Sequence, residues 1–439
     1  MKIKIKTLHN FSIILLIILA SFLSPIQEIL SQSEVLLCYL ISFAILLFVL
    51  FESKKFIIRK GEFIFYFPVI ILICLYIFNN HYLSHNNLGY FMIGIASFTI
   101  MAAFPLLNNW SLTAVKAVEI TSAIHVMFTF YFFIFPAHWK IYSNAIFGSY
   151  VPGTQNGAIG YTASLNGHYS TNGTLVAFGA ICFMIQYLLA NKKKTKRKYL
   201  ILMTSAIIAI LLTQKRAHII FFAITFICTY TMYNFKQGAI RNAFKLIVVF
   251  LAAWVLLGIA IQFVPVLSAV FKRFLIIGED AQTLTRFTMW QYALNLFSSN
   301  KLIGIGWGGF RYRFVELNMF EGAANAHNIY LQLLSETGII GLISFLFLAA
   351  YSIINVAILL KNRKKYMLNK EDEHVLLFSM SFQMFLLLYG FTGNPIYDFC
   401  FIYYAVAIAI GVNLKFRLRG NPVESQLHNP NIQLRKVYR

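Results

Sequence analysis

The chain has 439 residues, of which 59% are hydrophobic and only 12% are charged, about half the charged share of a typical soluble protein. Its net charge of +22 would suit a nucleic-acid-binding protein, but the basic residues lie in short clusters between apolar runs. This is the positive-inside pattern of membrane proteins, so composition and charge exclude a soluble fold and a nucleic-acid partner.

Apolar stretches follow one another along the whole chain. A transmembrane helix needs roughly 20 mostly apolar residues, and about twelve stretches approach that length. The predicted fold is therefore an all-α polytopic membrane protein with a single transmembrane domain, 1–416, and a cytoplasmic tail, 417–439. The predicted spans lie near 9–29, 33–51, 62–79, 88–106, 117–136, 170–190, 199–214, 217–233, 246–268, 328–360, 374–392 and 398–414.

The orientation follows from the basic residues. Threading the spans with the N-terminus inside leaves only nine of the 37 Lys and Arg residues outside, so both termini are predicted to be cytoplasmic. Two extracytoplasmic loops are long, 137–169 and 269–327. The second precedes the tenth span and is too long to be a mere connector, so we expect short surface helices and the catalytic groups there. The nine outside residues are Lys140, Lys215, Arg216, Lys272, Arg273, Arg286, Lys301, Arg311 and Arg313.

Arg216 is the most informative of these residues, because it lies between two apolar spans without an acidic neighbour in sequence. A charge near membrane depth is costly and indicates a function, unless the side chain simply snorkels to the interface. The planar guanidinium donates two parallel hydrogen bonds to phosphate oxygens, which suits a lipid diphosphate just outside the bilayer. The charge pattern adds Arg311 and Arg313 as candidates, since converging arginines would stabilise a leaving diphosphate.

His327 opens the tenth span, next to the long loop. In a regular helix, positions 327, 331, 334, 338 and 341 share one stripe, on which Gly338 and Gly341 would let another helix approach closely. An imidazole at this surface could accept a proton from a sugar hydroxyl, although it could also simply cap or pack. Glu336 would lie on the opposite side of the helix, so we expect it to pair with another helix.

The segment Gly304–Gly309 fits the pattern G-x-G-x-x-G. A dinucleotide site would require a strand before it and a helix after it within a βαβ unit, which a membrane-protein loop does not provide. We interpret the glycines as a tight turn that brings backbone amides near the site.

At these residues the chain resembles the O-antigen ligase and polymerase family. The run from His327 to Gly341 is similar to the family's His-Asn-x9-Gly-x-x-Gly motif, and it again follows a large extracytoplasmic loop. Leu212–Ala217 is similar to the family's arginine-bearing turn between two helices. Arg286–Trp290, followed by Gly304–Gly306 and Phe310, is similar to the loop segment before the His motif. The resemblance covers 212–341 and does not divide the members of the superfamily.

The resemblance implies an inverting glycosyl transfer from an undecaprenyl-diphosphate-linked glycan, at the outer face of the bacterial inner membrane, without metal or other cofactor. Its catalytic residues would be His327, which would activate the acceptor hydroxyl, and Arg216, which would bind the donor diphosphate together with Arg286. Asn328, Gly338 and Gly341 would shape the site. The expected partners are the lipid-linked donor, a glycan acceptor, the bilayer, and a chain-length regulator and flippase of the same pathway.

Two activities within the family fit these residues. A polymerase of capsule, exopolysaccharide or O-antigen is favoured, because Gly167–Asn172 is similar to a segment of capsule and exopolysaccharide polymerases. A ligase that transfers the glycan to lipid A-core or another acceptor is the alternative. A lipid-linked oligosaccharide flippase would need charges lining a central cavity, yet the predicted spans hold few ionisable residues beyond Glu119, Glu336 and Asp398.

Overall fold

The computed structural model describes residues 5–53, 61–85, 87–148, 162–234, 281–316 and 325–420, together with five isolated positions between 241 and 258. These ranges are helical and contain no β-strand, apart from one isolated bridge between Asn80 and Trp307. The helices are α1 (Ile5–Ser21), α2 (Leu23–Ile29), α3 (Gln32–Ser53), α4 (Phe63–Phe78), α5 (His81–Ser84), α6 (Leu88–Ala103), α7 (Ser111–Ile134), α8 (Pro136–Phe147), α9 (Tyr169–Leu189), α10 (Lys193–Leu212), α11 (Arg216–Tyr233), α12 (Ala281–Ser299), α13 (Gly309–Glu316), α14 (Ile329–Lys361), α15 (Lys370–Tyr389) and α16 (Cys400–Gly420).

Seven of the helices in the described ranges are long and apolar enough to cross a membrane, or eight if the bent pair α1 and α2 forms one span. The chain is therefore a multi-pass membrane protein. Eleven of the predicted spans overlap these helices, and the span near 246–268 lies outside the described residues except for isolated positions. Parts of both long loops, 149–161, 269–280 and 317–324, and the tail after 420 also lie outside them. The number of twelve spans and the side of each terminus stay predictions.

The first predicted span, near 9–29, corresponds to a bent pair of helices rather than to one straight helix. α1 and α2 meet at an angle of 88° at Phe22. Pro25 explains the break, because its ring would collide with the carbonyl of Ser21 in a continuous helix. That carbonyl instead accepts hydrogen bonds from His125 Nε2 at 2.9 Å and from Asn166 Nδ2 at 2.6 Å. The bend is thus built into the packed interior rather than left exposed.

The core lies around α9 and α16, whose apolar stretches are 78% and 83% buried inside the protein. A helix that is apolar on all sides suits such a central position. Phe178 of α9 packs against Phe382 of α15 and Tyr403 of α16, each with ring centroids 4.8 Å apart. Small residues let the central helices approach closely, as at Gly411, where an added Cβ would meet the hydroxyl of Ser352 at 2.6 Å.

Polar groups gather at one end of the bundle, where they join the helix ends. His374 Nε2 lies 2.8 Å from the Glu119 carboxylate, and Arg363 lies 3.4 Å from Glu373. Lys370 donates to Asn191 at 3.2 Å. All of these residues lie at the ends that the sequence predicts to be cytoplasmic. The loops that contain the candidate site residues meet at the opposite ends of the helices.

Candidate functional site

A three-residue turn joins α10 to α11 and positions two cationic side chains. α10 ends at Leu212, and the Thr213 hydroxyl caps it by donating to the Ile210 carbonyl at 2.7 Å. Gln214 has φ 55°, a left-handed conformation that reverses the chain. Lys215 and Arg216 follow at the start of α11, so the tight turn holds both at one end of the bundle.

Lys215 is packed against the first turns of α9. An added Cβ at Gly173 would lie 2.8 Å from Lys215 Cγ, so the glycine makes room for the lysine stem. The ammonium lies over the Tyr169 ring, 4.7 Å from its centroid. Burial, with the Arg286 guanidinium as a second cause, lowers the pKa of Lys215 to about 8. Lys215 is therefore mainly protonated at pH 7 and loses its positive charge as the pH rises through about 8.

Arg286 lies close enough to Lys215 for their charges to interact, and both cations act on the His327 imidazole. Burial, followed by the charges of Arg286 and Lys215, lowers the pKa of His327 to about 4. Burial and Lys215 also lower the pKa of His168, the N-cap of α9, to about 4. Both imidazoles are neutral at pH 7 close to a cation. The structure thus brings together two cations and two neutral imidazoles from α12, the ends of the α10–α11 turn, and the starts of α9 and α14.

The His327 backbone is held in a left-handed conformation, φ 52°, which is uncommon for a residue with a side chain and occurs often at functional sites. Both of its neighbours are fixed. Trp290 of α12 donates to the Ala326 carbonyl at 3.0 Å, and the Ala326 amide donates to Gln332 at 2.9 Å. Asn328 caps α14, its Oδ1 accepting from the amides of Tyr330 and Leu331 at 3.0 and 3.2 Å. This cap is a direct physical reason for an asparagine after the histidine.

α14 is interrupted at Gly338, which has φ 63° and ψ −167°. The amides of Ile339 and Ile340 donate to the carbonyls of Lys301 and Leu302, at 2.9 and 3.3 Å, rather than to the preceding turn of their own helix. In a regular helix these amides would donate to the carbonyls of Ser335 and Glu336. Those two carbonyls instead accept from the amides of Ile305 and Gly306, at 3.0 and 2.9 Å. The expectation of one continuous glycine-lined stripe for a second helix was therefore wrong. The loop around Leu302 and Ile303, rather than a second helix, packs against Gly338.

Sequence reasoning expected Glu336 to pair with another helix, and its carboxylate is bound where the same loop enters α13. The Glu336 carboxylate accepts from the amide of Gly308 at 2.8 Å and from that of Phe310 at 3.1 Å. Gln332 donates to it as well, at 3.2 Å. The glycines of Gly304–Gly309 do form a tight turn, with φ between 69° and 101° at 304, 306 and 308. Within this turn, the Gly306 amide donates to the backbone carbonyl of Glu336 and the Gly308 amide to its carboxylate.

The second glycine of the motif, Gly341, lies one turn beyond the interruption. An added Cβ there would lie 2.0 Å from the hydroxyl of Thr337 and 3.2 Å from Leu75 of α4. Gly341 therefore relieves crowding next to the break, and α4 is the neighbouring helix.

Arg311 and Arg313 do not share the surroundings of His327. The Arg311 guanidinium stacks over Tyr90, 4.8 Å from the ring centroid, and interacts with Tyr82 and Tyr312. Arg313 is exposed at the last turn of α13. Their assignment as donor-binding residues stays a prediction, without support from their contacts.

Sequence reasoning did not include Lys215 and His168 among the site residues. Lys215 was visible as a basic residue on the outer side, and His168 stood in the Gly167–Asn172 segment. Neither observation alone shows that the two groups interact. Only the packing of α9 against α11 brings them together.

The class of protein that these features define is a multi-pass membrane protein with a cationic and imidazole-containing site at one set of helix ends. Residues 199–346, from α10 to the middle of α14, match the family model described as O-antigen ligase. This match confirms the resemblance to the O-antigen ligase and polymerase family and indicates a glycosyltransferase-type membrane enzyme. No curated protein matches the sequence.

Proposed function

We propose that this protein polymerises undecaprenyl-diphosphate-linked oligosaccharide repeat units of a surface polysaccharide at the extracytoplasmic face of the bacterial inner membrane. The observation that carries the proposal is the electrostatic coupling of His327 to Arg286 and Lys215, three groups from separate parts of the matched segment. A diphosphate is the ligand that two cations beside a neutral imidazole would favour.

In this proposal the donor diphosphate binds between the cations. Arg286 supplies a planar guanidinium, and Lys215 supplies a compact charge that approaches from the α10–α11 turn. Arg216, the adjacent residue at the start of α11, adds a second guanidinium at the same turn. These groups are fixed before the substrate arrives, so they can stabilise the negative charge that grows on the leaving diphosphate.

His327 then acts as the base that takes the proton of the acceptor hydroxyl. Arg286 and Lys215 weaken its basicity in the free protein. A bound diphosphate would offset their charges and raise the pKa of His327 towards its usual range. The base would therefore become stronger only when the donor is in place.

A ligase is the second candidate, and the family model's description as O-antigen ligase favours it. The proposed donor chemistry is the same for both. The acceptor differs, because a polymerase needs only a second lipid-linked repeat unit, whereas a ligase needs lipid A-core or another acceptor. The two are therefore separated by what the purified protein does with lipid-linked repeat unit alone.

The test is reconstitution of the purified protein in liposomes with lipid-linked repeat unit, followed by measurement of glycan length and of released undecaprenyl diphosphate. A polymerase yields multimeric lipid-linked glycan from this substrate, and a ligase yields product only when lipid A-core is added. His327→Ala and Arg216→Ala should each lose activity by about 10²–10⁴-fold, the usual contribution of such groups.

Matched controls are His138→Ala and Lys140→Ala, which remove a histidine and a lysine from exposed positions of α8. Both should retain wild-type rates. Wild-type rates for folded His327→Ala would remove the imidazole from the mechanism, and the absence of any transfer with either acceptor would overturn the proposed activity.

A further inference from the structure

A polar cavity of about 340 Å³ lies beside the bend between α1 and α2. We call it the bend cavity, and its lining includes Gln27, Asn87, Asn166, Thr171 and Asp398. Its volume is at the lower end of the range of small-molecule sites, roughly 300–1,000 Å³. Gly89, at the start of α6, and Asp398, just before α16, both lie on its wall. The cavity is therefore bounded by elements from both halves of the chain.

Asn166 offers an unused hydrogen-bond acceptor to this cavity. Its side chain is fixed, because Nδ2 donates to the Ser21 carbonyl that the Pro25 bend exposes. The residue is only 2% exposed, and its Oδ1 has no hydrogen-bond partner among the described residues. A buried acceptor without a partner costs about 1–3 kcal/mol, so a hydroxyl group that reaches Asn166 from the cavity would stabilise the complex.

Asp398 places a carboxyl group on the same wall. One of its oxygens accepts from the Cys400 amide at 2.8 Å at the start of α16, and burial raises the pKa of Asp398 to about 6. None of the described residues that line the cavity is basic. The lining therefore differs in kind from the Lys215 and Arg286 pair. It suits a neutral molecule rich in hydroxyl groups, which donate to carbonyl and carboxyl oxygens, and disfavours a phosphate.

The bend cavity lies at the same end of α9 as the cationic site. Thr171 lines the cavity from the first turn of α9, and Tyr169, whose ring lies under the Lys215 ammonium, belongs to the same turn. Residues two positions apart point to different sides of a helix, so the start of α9 lies between the cavity and Lys215. A glycan that occupies both places would pass around the start of α9.

We propose that the bend cavity binds a sugar residue of the glycan through Asn166, Asp398 and Thr171, at the same end of α9 as the diphosphate-binding cations. This inference rests on the proposed glycan transfer, since it names the place where that reaction would hold its saccharide. The cavity lies outside the segment that matches the O-antigen ligase model. It would therefore be the part of the protein that selects which glycan is used.

Gly89 gives a test that leaves the polar groups in place. Its added Cβ would meet only the end of the flexible Gln27 side chain, at 3.2 Å, and alanine should be accommodated with a small shift. Gly89 lines this cavity and the neighbouring one, so Gly89→Leu would narrow both, whereas Thr171→Val changes only the bend cavity. Both Gly89 substitutions replace a helical glycine, which favours the helix and makes a folding failure of one variant alone unexpected.

The measurement is equilibrium binding, to the purified full-length protein, of the free radiolabelled repeat-unit oligosaccharide released by mild acid from lipid-linked intermediates of the source cell. We expect saturable binding to wild type and Gly89→Ala, and at least tenfold weaker binding to Gly89→Leu and Thr171→Val. Gln32→Ala, on the neighbouring cavity of about 270 Å³, is the matched control and should bind normally. Equal binding by wild type and Gly89→Leu, or no saturable binding at all, would overturn the proposal.

The binding measurement needs no catalysis, so it separates this inference from the proposed function. Saturable binding without transfer from lipid-linked donor would refute the reaction and leave the saccharide site. Transfer that is unaffected by Gly89→Leu would refute the site and leave the reaction. Competition in the transfer assay then identifies the glycan: oligosaccharide that competes with acceptor occupies the acceptor position, and oligosaccharide that competes with donor occupies the donor position.

Discussion

Replacing Gly338 with alanine tests whether the break in α14 is required by the backbone or is only tolerated. Gly338 has φ 63° and ψ −167°, a combination essentially restricted to glycine. An added Cβ would also lie 2.2 Å from the Leu302 carbonyl oxygen and 2.6 Å from the Ile303 amide. These are backbone atoms, so no rotation of a side chain can relieve the collision.

The cost has two parts. Holding alanine in this conformation costs about 1–3 kcal/mol. Moving the 301–303 segment away takes the Lys301 and Leu302 carbonyls from the amides of Ile339 and Ile340, and each of these two amides costs about 1–3 kcal/mol when it has no partner. The expected destabilisation by Gly338→Ala is therefore roughly 3–9 kcal/mol.

Gly148 offers a matched control, because it has nearly the same conformation, φ 79° and ψ −165°, with no heavy atom within 4 Å of an added Cβ. Gly148→Ala should cost only the conformational part. The assay is thermal melting in detergent, followed by the loss of monodisperse protein on size exclusion. We expect the melting temperature to fall slightly for Gly148→Ala and strongly for Gly338→Ala. Equal losses would show that the packing of the loop against Gly338 contributes nothing.

Two further predictions concern charged groups near the site. Donor KM should increase as pH rises through about 8, because Lys215 loses the charge that attracts the diphosphate; Lys215→Arg should remove this alkaline limb, and a limb that is unchanged in Lys215→Arg would exclude the lysine as its cause. Glu336→Gln should lower the melting temperature, since an amide cannot accept from both the Gly308 and Phe310 amides as the carboxylate does, while the transfer rate per folded molecule should stay within a few fold. A large loss of rate without loss of stability would instead place Glu336 in the chemistry.

The sequence predicted the helical membrane fold well because its signal is local. Long apolar runs can be satisfied at membrane depth only by helices, so eleven of the predicted spans coincide with described helices. The role of Asn328 as the residue that fixes the start of α14 is also local, since its side chain caps the next two amides. Such features need no knowledge of the neighbouring segments.

The errors arose where a regular helix was assumed. Pro25 and Gly338 each interrupt an apolar run whose composition alone indicates a continuous helix. What replaces the lost helical bonds comes from distant segments: Asn166 at the first break and the 301–306 loop at the second. The proximity of Lys215 and Arg286 could not be predicted from the sequence for the same reason, because it depends on how α11 and α12 are placed relative to each other.

Residues at both ends of the His-Asn-x9-Gly-x-x-Gly motif are hydrogen-bonded to α12 or to the residues directly after it. Trp290 of α12 is bound to the residue before His327, and Lys301, just after α12, is bound to the residue after Gly338. The α12 segment is therefore held against the α14 segment at two points, through Ala326 and through Ile339, and Arg286 lies one turn before Trp290. The glycine that is far from the chemistry thus fixes where a cation stands relative to the imidazole. It follows that Gly338→Ala should lower donor affinity even in the protein that remains folded.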